Sequence, residues 1–275
     1  MKEITLSIII THHQTPDLLR MCIDTIAKEF SGIAHEVIVA DVQTQKNTVS
    51  MLGAYPAVIF LEEKTNCGFS KAVNRGIGRA KGKFILVINA DIIVGGAKGV
   101  EEMMGYFAAH RDVGIMGPKL LNTDGSVQQS CFREYTPLTL LARRTSFGKT
   151  AWGKRVLERF AYKDIQIQGP LAVDWLMGSA FLMERGRLIK AGGGLDDRFF
   201  MYFEDVDLCR RFRRAGMKAV YYPSVVFTHH HMRASWAGGG LTDIFRNWLT
   251  RVHLASYAKY LWKWNVEMLF KPRDK

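Results

Sequence analysis

Four short apolar runs, Leu6 to Ile10, Glu36 to Ala40, Val58 to Leu61 and Phe84 to Ile88, alternate with longer segments of helical period over the first hundred residues. A strand buried on both faces reads as such a run, and the segments between neighbouring strands must cross over, so the pattern calls for an α/β layer with a mostly parallel sheet flanked by helices. Between the first two runs, Leu18, Leu19, Cys22, Ile23, Ile26 and Phe30 recur at steps of three and four, an apolar stripe able to cover the sheet. Pro16 and Asp17 suit the first turn of that helix. Farther on, the spacing predicts a helix from Gly99 to Ala109, a strand from Val113 to Met116 and a turn at Asn122-Thr123-Asp124-Gly125. It then predicts a strand from Ser179 to Met183, a helix from Val206 to Ala215 and a strand from Lys218 to Tyr222. Residues 130–170 mix Arg133, Arg143, Arg144, Lys149, Lys154, Arg155 and Arg159 with Phe and Trp, which fits either a mobile basic loop or a helical lid.

Composition narrows the partner. The chain has 38 Lys+Arg against 26 Asp+Glu, a formal charge of +12, and 48% hydrophobic residues. This excludes disorder and collagen-like repetition and points to a phosphate-rich partner: a nucleotide, a nucleic acid or an anionic membrane face. Cys22, Cys67, Cys131 and Cys209 are too widely spaced for a metal knuckle or a local redox pair, so reduced thiols in a cytoplasmic protein are expected. The first apolar run is too short for a signal-peptide core, and no stretch approaches the roughly 18 apolar residues of a spanning helix.

Ligands of open parallel sheets bind at the carboxyl ends of the strands, where this chain delivers Thr11-His12, Asp41, Glu62-Glu63 and Asn89-Ala90-Asp91. Taken alone, an Asp such as Asp41 is a turn residue or helix cap; several polar groups at one edge point to a site. Asp91 emerges from a buried strand, where its carboxylate can hold a hard divalent cation that bridges diphosphate oxygens. Ahead of it, Asn66-Cys67-Gly68 opens a helix carrying Lys71, Asn74 and Arg75, with Lys71 and Arg75 on nearly one face, a candidate phosphate cradle that fits neither a Walker loop nor the dinucleotide fingerprint. Glu204, Asp205 and Asp207 begin a helix directly after Phe199-Phe200-Met201-Tyr202-Phe203. They serve there as helix caps or, desolvated by the aromatics, as proton acceptors.

These motifs together resemble an inverting family 2 glycosyltransferase of the GT-A fold, and more closely its bacterial rhamnosyltransferase-type members, over roughly Leu6 to Ser235. The resemblance implies that Thr11, Asp41, Asn66, Gly68, Lys71, Asn74, Asn89 and Asp91 bind the nucleotide-sugar donor, that Asp91 with His229 holds Mg²⁺ or Mn²⁺, and that Asp205, with Glu204, is catalytic. It places Trp175, Gly178 and Asp207 toward the acceptor. It divides the chain into a donor-binding half, 1–95, an acceptor-binding and catalytic half of the same domain, 96–235, and a C-terminal extension, 236–275. It points to dTDP-rhamnose, with UDP-sugars as the alternative donor, and to a glycan or lipid-linked acceptor. The chain departs from many relatives in carrying His12-His13-Gln14 after the first strand, Val42-Gln43 after Asp41, and Asn89 in place of the first acid of Asp-x-Asp. Of His229-His230-His231, alternation along an extended segment lets one face the site, and His229 is expected to; Arg233 and Ser235 just beyond are candidates for a phosphate clamp or a solvated loop.

The segment from Leu241 to Phe270 reads as a basic, Trp-rich amphipathic helix that either packs on the domain or lies in the inner face of the cell membrane. Two other functions fit parts of the sequence. A sugar nucleotidyltransferase would share the sheet and the metal-binding Asp, but no glycine- and lysine-rich activation loop follows the first strand. A single-strand nucleic-acid binder would explain the basic and aromatic residues of 131–160 and 241–264 but gives no reason for Asp91 and Asp205, so no nucleic-acid partner is expected.

Overall fold

The computed structural model describes residues 3–230 and 247–270. The first half alternates as its apolar runs require: β1 (Leu6–His12), α1 (Pro16–Glu29), β2 (His35–Asp41), α2 (Lys46–Leu52), β3 (Ile59–Leu61), α3 (Phe69–Arg79) and β4 (Phe84–Asn89). A short β5 (Ile92–Ile93), α4 (Ala97–Ala109), β6 (Val113–Leu121), β7 (Val127–Gln128) and β8 (Cys131–Phe132) follow. Residues 130–170 hold α5 (Pro137–Arg144) and α6 (Ala151–Phe160), so the segment is built on helices and is not one long loop. Thr136 and Thr150 supply the reason, accepting hydrogen bonds from the amides of Thr139 and Gly153 as N-caps. The rest comprises β9 (Leu171–Val173), β10 (Trp175–Leu176), β11 (Ala180–Glu184), α7 (Arg185–Lys190), α8 (Glu204–Arg214), β12 (Lys218–His229) and α9 (Trp248–Phe270).

The main sheet runs β3-β2-β1-β4-β11-β6-β12-β5, with β7 beside β6 and β9 beside β12. Strands β1 to β4 are parallel, β11 lies antiparallel between β4 and β6, and β12 is parallel to β6. β12 extends past the expected end at Tyr222 because the register shifts between Tyr222 and Val226, letting the strand absorb Pro223 and continue to His229.

The sheet is covered on both sides. Leu6, Ile8 and Ile10 face Leu19, Cys22, Ile23 and Ile26 of α1, with Val100, Met103 and Phe107 of α4 in the same cluster. Ile9, Ile38 and Val87 face Ala72 and Val73 of α3, with Leu208 and Phe212 of α8 in theirs. At about 1.5–3 kcal/mol for each fully buried large aliphatic or aromatic side chain, these two layers anchor the strand ends that carry the site. Gly76 lets α3 lie flat on the sheet, since a Cβ there would stand 2.5 Å from Cγ2 of Ile9.

The described part of the C-terminal segment, α9, packs on the domain with Tyr260 and Trp264 buried. Trp248 and Trp262 of the same helix are exposed, Trp248 with its ring against Phe200. Residues 241–246 of the expected helix, with His231, Arg233 and Ser235, lie outside the described residues.

Candidate active site

The strand registers bring the predicted residues to one edge. Thr11 is paired with Asn89 across β1 and β4, and His12 with Asp41 across β1 and β2. Because β11 runs antiparallel to β4 with Ala180 opposite Ile88, the Gly178-Ser179 turn meets the same edge, and the Asn89 amide donates to the Ser179 carbonyl at 3.0 Å.

At the β1–β2 end, His12 and Asp41 are buried, with Nδ1 3.1 Å from Oδ1. The Thr15 amide donates to His12 Nε2 at 3.0 Å, so the ring hydrogen is on Nδ1 and is donated to Asp41. The other carboxylate oxygen of Asp41 is buried with no hydrogen-bond partner among the described residues, an acceptor able to take an N–H from a bound base. Beside it, the Thr11 hydroxyl donates to Asn89 Oδ1 at 2.9 Å.

At the β4–β5 end, His229 Nε2 stands 3.1 Å from Asp91 Oδ1. The ladder pairs His229 with Ile92, and the His230 amide donates to the Asp91 carbonyl at 2.8 Å, which fixes this approach. One imidazole nitrogen and one carboxylate suit Mg²⁺ or Mn²⁺ when further oxygens come from a donor diphosphate. Among the described residues no group of three or more His, Cys, Asp or Glu could hold a metal ion by itself.

The α3 segment departs from the expectation of a phosphate cradle. Asn66 Oδ1 accepts from the Gly68 amide at 3.0 Å, building the turn. Gly68 has φ +80, and a Cβ there would meet the Phe200 carbonyl oxygen at 2.5 Å, so glycine allows the α3 N-terminus to touch the aromatic loop before α8. The Phe69 amide donates to that same carbonyl at 2.8 Å. Asn74, expected at the donor, instead bonds the loop: its Nδ2 donates to the Leu195 carbonyl at 2.8 Å and to Asp197, and its Oδ1 accepts from the Leu195 amide at 2.7 Å. Arg75 is drawn to the Glu62 carbonyl and to Glu63. Lys71 stays exposed.

The acids of α8 separate by environment. Tyr202 and Phe203 adopt φ of 70° and 69°, a left-handed kink that starts the helix with Glu204 and Asp205 in its first turn. Asp205 accepts from the Gly178 amide at 2.9 Å and from the Val206 amide at 2.8 Å. Burial outweighs those amides and pushes its carboxyl up to about 6. Glu204 is buried and lies well above its ordinary range, first through desolvation and then through the neighbouring Asp205 charge, so the two titrate as a pair.

The three residues expected at the acceptor have definite partners of their own within the chain. Asp207 is fully buried: Arg211 Nε at 3.0 Å, Lys263 Nζ at 2.8 Å and Trp264 Nε1 at 3.0 Å surround it, making it the joint between α8 and α9. Trp175 is buried, stacks on Phe132 and Tyr135, and donates its indole N–H to the Arg133 carbonyl at 2.9 Å, which makes it part of a wall and leaves little of it for a ligand. Gly178 acts through its amide on Asp205.

Sequence reasoning missed Gln128, whose Oε1 lies 2.8 Å from His229 Nδ1, and the α9 residues that hold the loop before α8. Among these, the Ser256 hydroxyl donates to the Met201 carbonyl at 2.8 Å and Lys259 Nζ to the Arg198 carbonyl at 2.8 Å. Nothing local marks them, because their partners are far away in the chain.

With this edge in view, the family comparison is decisive: residues 4–239 match the model described as glycosyltransferase like family 2. The chain belongs to glycosyltransferase family 2. It is 31% identical over 188 residues to the N-acetylglucosaminyl-diphospho-decaprenol L-rhamnosyltransferase of Mycobacterium tuberculosis, covering 64% of this chain and 60% of that protein. It is 33% identical over 98 residues to the rhamnosyltransferase WbbL of Escherichia coli, covering 34% of this chain and 33% of that one. The chain thus spans about 60% of the length of the mycobacterial relative. Two solved structures share its GT-A fold. GalNAc-T7 with UDP, GalNAc and Mn²⁺ superposes with a TM-score of 0.64 at 16% identity over 86% of this chain and 44% of that one. The mannosyltransferase PcManGT of Pyrobaculum calidifontis with GDP-Man and Mn²⁺ superposes with a TM-score of 0.58 at 18% identity over 93% and 64%. This family 2 glycosyltransferase has, among its described residues, no helix long and apolar enough to cross a membrane.

Proposed function

We propose that this glycosyltransferase moves L-rhamnose from dTDP-rhamnose to a hydroxyl of a glycan or lipid-linked acceptor, with inversion at the anomeric carbon. The observation that carries the chemistry is Asp205: a carboxyl held by two amides, raised to about 6, at the edge shared with Asp91. A group that binds its proton that well takes one from an alcohol better than an ordinary carboxylate does. Asp205 accepts the acceptor's hydroxyl proton as the oxygen bonds to the anomeric carbon, and the bond from that carbon to the diphosphate oxygen breaks on the opposite face. Burial and the Asp205 charge favour the protonated form of Glu204, which limits the negative charge in the site. Asp91 and His229 would hold the divalent cation, which supplies positive charge for the departing diphosphate.

On the donor side, the unpartnered Asp41 oxygen offers itself to a base N–H, while Thr11 and Asn89 line the floor. Residues 1–95 thus serve the donor and 96–235 the acceptor. The two rhamnosyltransferase relatives favour rhamnose, and the name of the mycobacterial one favours a lipid-linked acceptor. Exposed Trp248 and Trp262 on α9 provide a face for peripheral contact with the inner membrane surface.

Thermal-shift titration against dTDP-rhamnose, UDP-sugars and GDP-mannose with Mg²⁺ tests the donor. The dTDP-linked sugar should raise the melting temperature most; a larger rise with a UDP-sugar replaces it. Transfer onto lipid extracts from the source cell, with the anomeric configuration of the product read by NMR, tests reaction and acceptor together. Retained configuration would overturn the mechanism.

A further inference from the structure

The turn at Asn122-Thr123-Asp124-Gly125 has no part in the chemistry above, yet it is heavily tied. The Asn122 amide donates to the Ser126 carbonyl at 2.8 Å, and the Gly125 amide, at φ +79, donates to the Asn122 carbonyl at 3.0 Å. Asn122 Nδ2 donates to Ser126 Oγ at 2.8 Å, and Asp124 Oδ1 accepts from the Ser126 amide at 2.9 Å. What this hairpin delivers is β7, with Gln128 registered opposite Leu120 of β6. On the other side of β6, Thr228 of β12 pairs with Leu121, which brings His229 to the same level.

Across that gap Gln128 Oε1 meets His229 Nδ1 at 2.8 Å, a contact between residues 101 positions apart. An amide oxygen only accepts, so Nδ1 carries the ring hydrogen. Nε2 is then the ring nitrogen left to act as an acceptor, and it stands 3.1 Å from Asp91 Oδ1. Two acceptors held side by side are matched by a cation that both can ligate.

We propose that Gln128 is a positioning residue for the cation site: it locks His229 in the Nδ1–H tautomer, so that Nε2 and Asp91 Oδ1 present their lone pairs together to one divalent metal ion. A hydrogen-bond partner behind a ligating imidazole is the usual means of fixing its tautomer and direction, and losing one typically costs about 10–100-fold in metal affinity. The inference rests on the metal-assisted reading of this site.

The test is a Mn²⁺ titration followed by loss of the free-ion EPR signal, in the presence of saturating dTDP, for the wild type, Gln128→Leu and Gln128→Glu. Gln128→Leu should weaken Mn²⁺ binding about 10–100-fold. Gln128→Glu, which still accepts from Nδ1, should restore it to within a few-fold, and dTDP affinity without metal should be unchanged in both. Nitrogen-15 spectra of the histidine rings, with the His229 signals assigned through His229→Gln, should show the Nδ1–H tautomer in the wild type and its loss in Gln128→Leu. Wild-type protein that binds Mn²⁺ while Gln128→Leu binds it equally well, or keeps the same tautomer, overturns this inference alone. Wild-type protein that binds no Mn²⁺ with dTDP overturns the metal reading as well.

Discussion

Asp205 and Asp207 share the first turn of α8, yet among the described residues Asp205 takes its hydrogen bonds from the amides of Gly178 and Val206, whereas Asp207 is closed in by Arg211, Lys263 and Trp264. The difference lies in compensation. Two cationic side chains and an indole N–H balance Asp207 in full burial, and a carboxylate so paired is fixed in place. Among the described residues Asp205 has dipoles but no cationic side chain on its carboxylate, so desolvation raises its proton affinity and leaves it able to exchange a proton. One helical turn thus provides both a rigid joint to α9 and a carboxyl of raised proton affinity, and the joint holds the helix from which that carboxyl projects.

The largest effect that should sharpen this contrast is on stability. Asp207→Ala leaves Lys263 buried without one of its two carboxylate partners and should cost about 3–5 kcal/mol, a fall of about 2–4 °C in Tm per kcal/mol, seen by calorimetry. Combining it with Lys263→Met should recover part of that loss. An equally large loss in the double variant would show that shape, and not charge pairing, holds α9.

Next comes the pH dependence. The Asp205 carboxyl is raised to about 6 by burial, and the base must be ionised, so kcat/KM should fall about tenfold per pH unit below that value and level off above it. Linkage gives a second reading with a definite sign. A carboxyl whose proton affinity is raised by folding favours the folded state at low pH, and that contribution is lost as pH rises through its folded value. Asp205→Asn should therefore be more stable than the wild type at pH 8, with an advantage that shrinks as pH falls through about 6 and is gone only near pH 3, below the unfolded carboxyl value. Asp196 behaves oppositely: although burial opposes it, bonds from Arg198 and Lys263 hold its carboxyl well below the usual range. Its contribution is present at neutral pH and lost on acidification.

The smallest effect concerns the outer face of α9. Trp262 is 64% exposed, and Trp262→Ala should change stability by no more than about 0.5 kcal/mol. The same substitution, combined with Trp248→Ala, should lower recovery with anionic liposomes in flotation if that face meets the membrane; equal recovery removes the membrane role.

How far the sequence disclosed this molecule follows the range of the forces involved. Strands β1, β2 and β4 and helix α1 were legible because their burial is written as local apolar periodicity, and Thr11, Asp41, Asn89 and Asp91 were legible because a polar residue ending such a run must sit at the sheet edge. The Glu204-Asp205-Asp207 cluster was visible as a cluster, but nothing adjacent to Asp207 shows that Lys263, 56 residues on, occupies it. Asn74 is similar: Gly194 leaves room for its amide, and a Cβ at Gly194 would lie 2.1 Å from Asn74 Oδ1. That fit joins positions 120 apart. Gln128 was hidden for the same reason, as a hairpin turn can be read from its residues but the side chain it delivers cannot.

The central claim is that the Asp205 carboxylate takes the acceptor's proton. The most direct measurement is the turnover of Asp205→Asn with dTDP-rhamnose, set beside its dTDP affinity by calorimetric titration. A loss of about 10²–10⁴-fold in kcat with dTDP affinity within twofold of wild type is the predicted result. Near wild-type turnover in a variant that binds dTDP normally would contradict it.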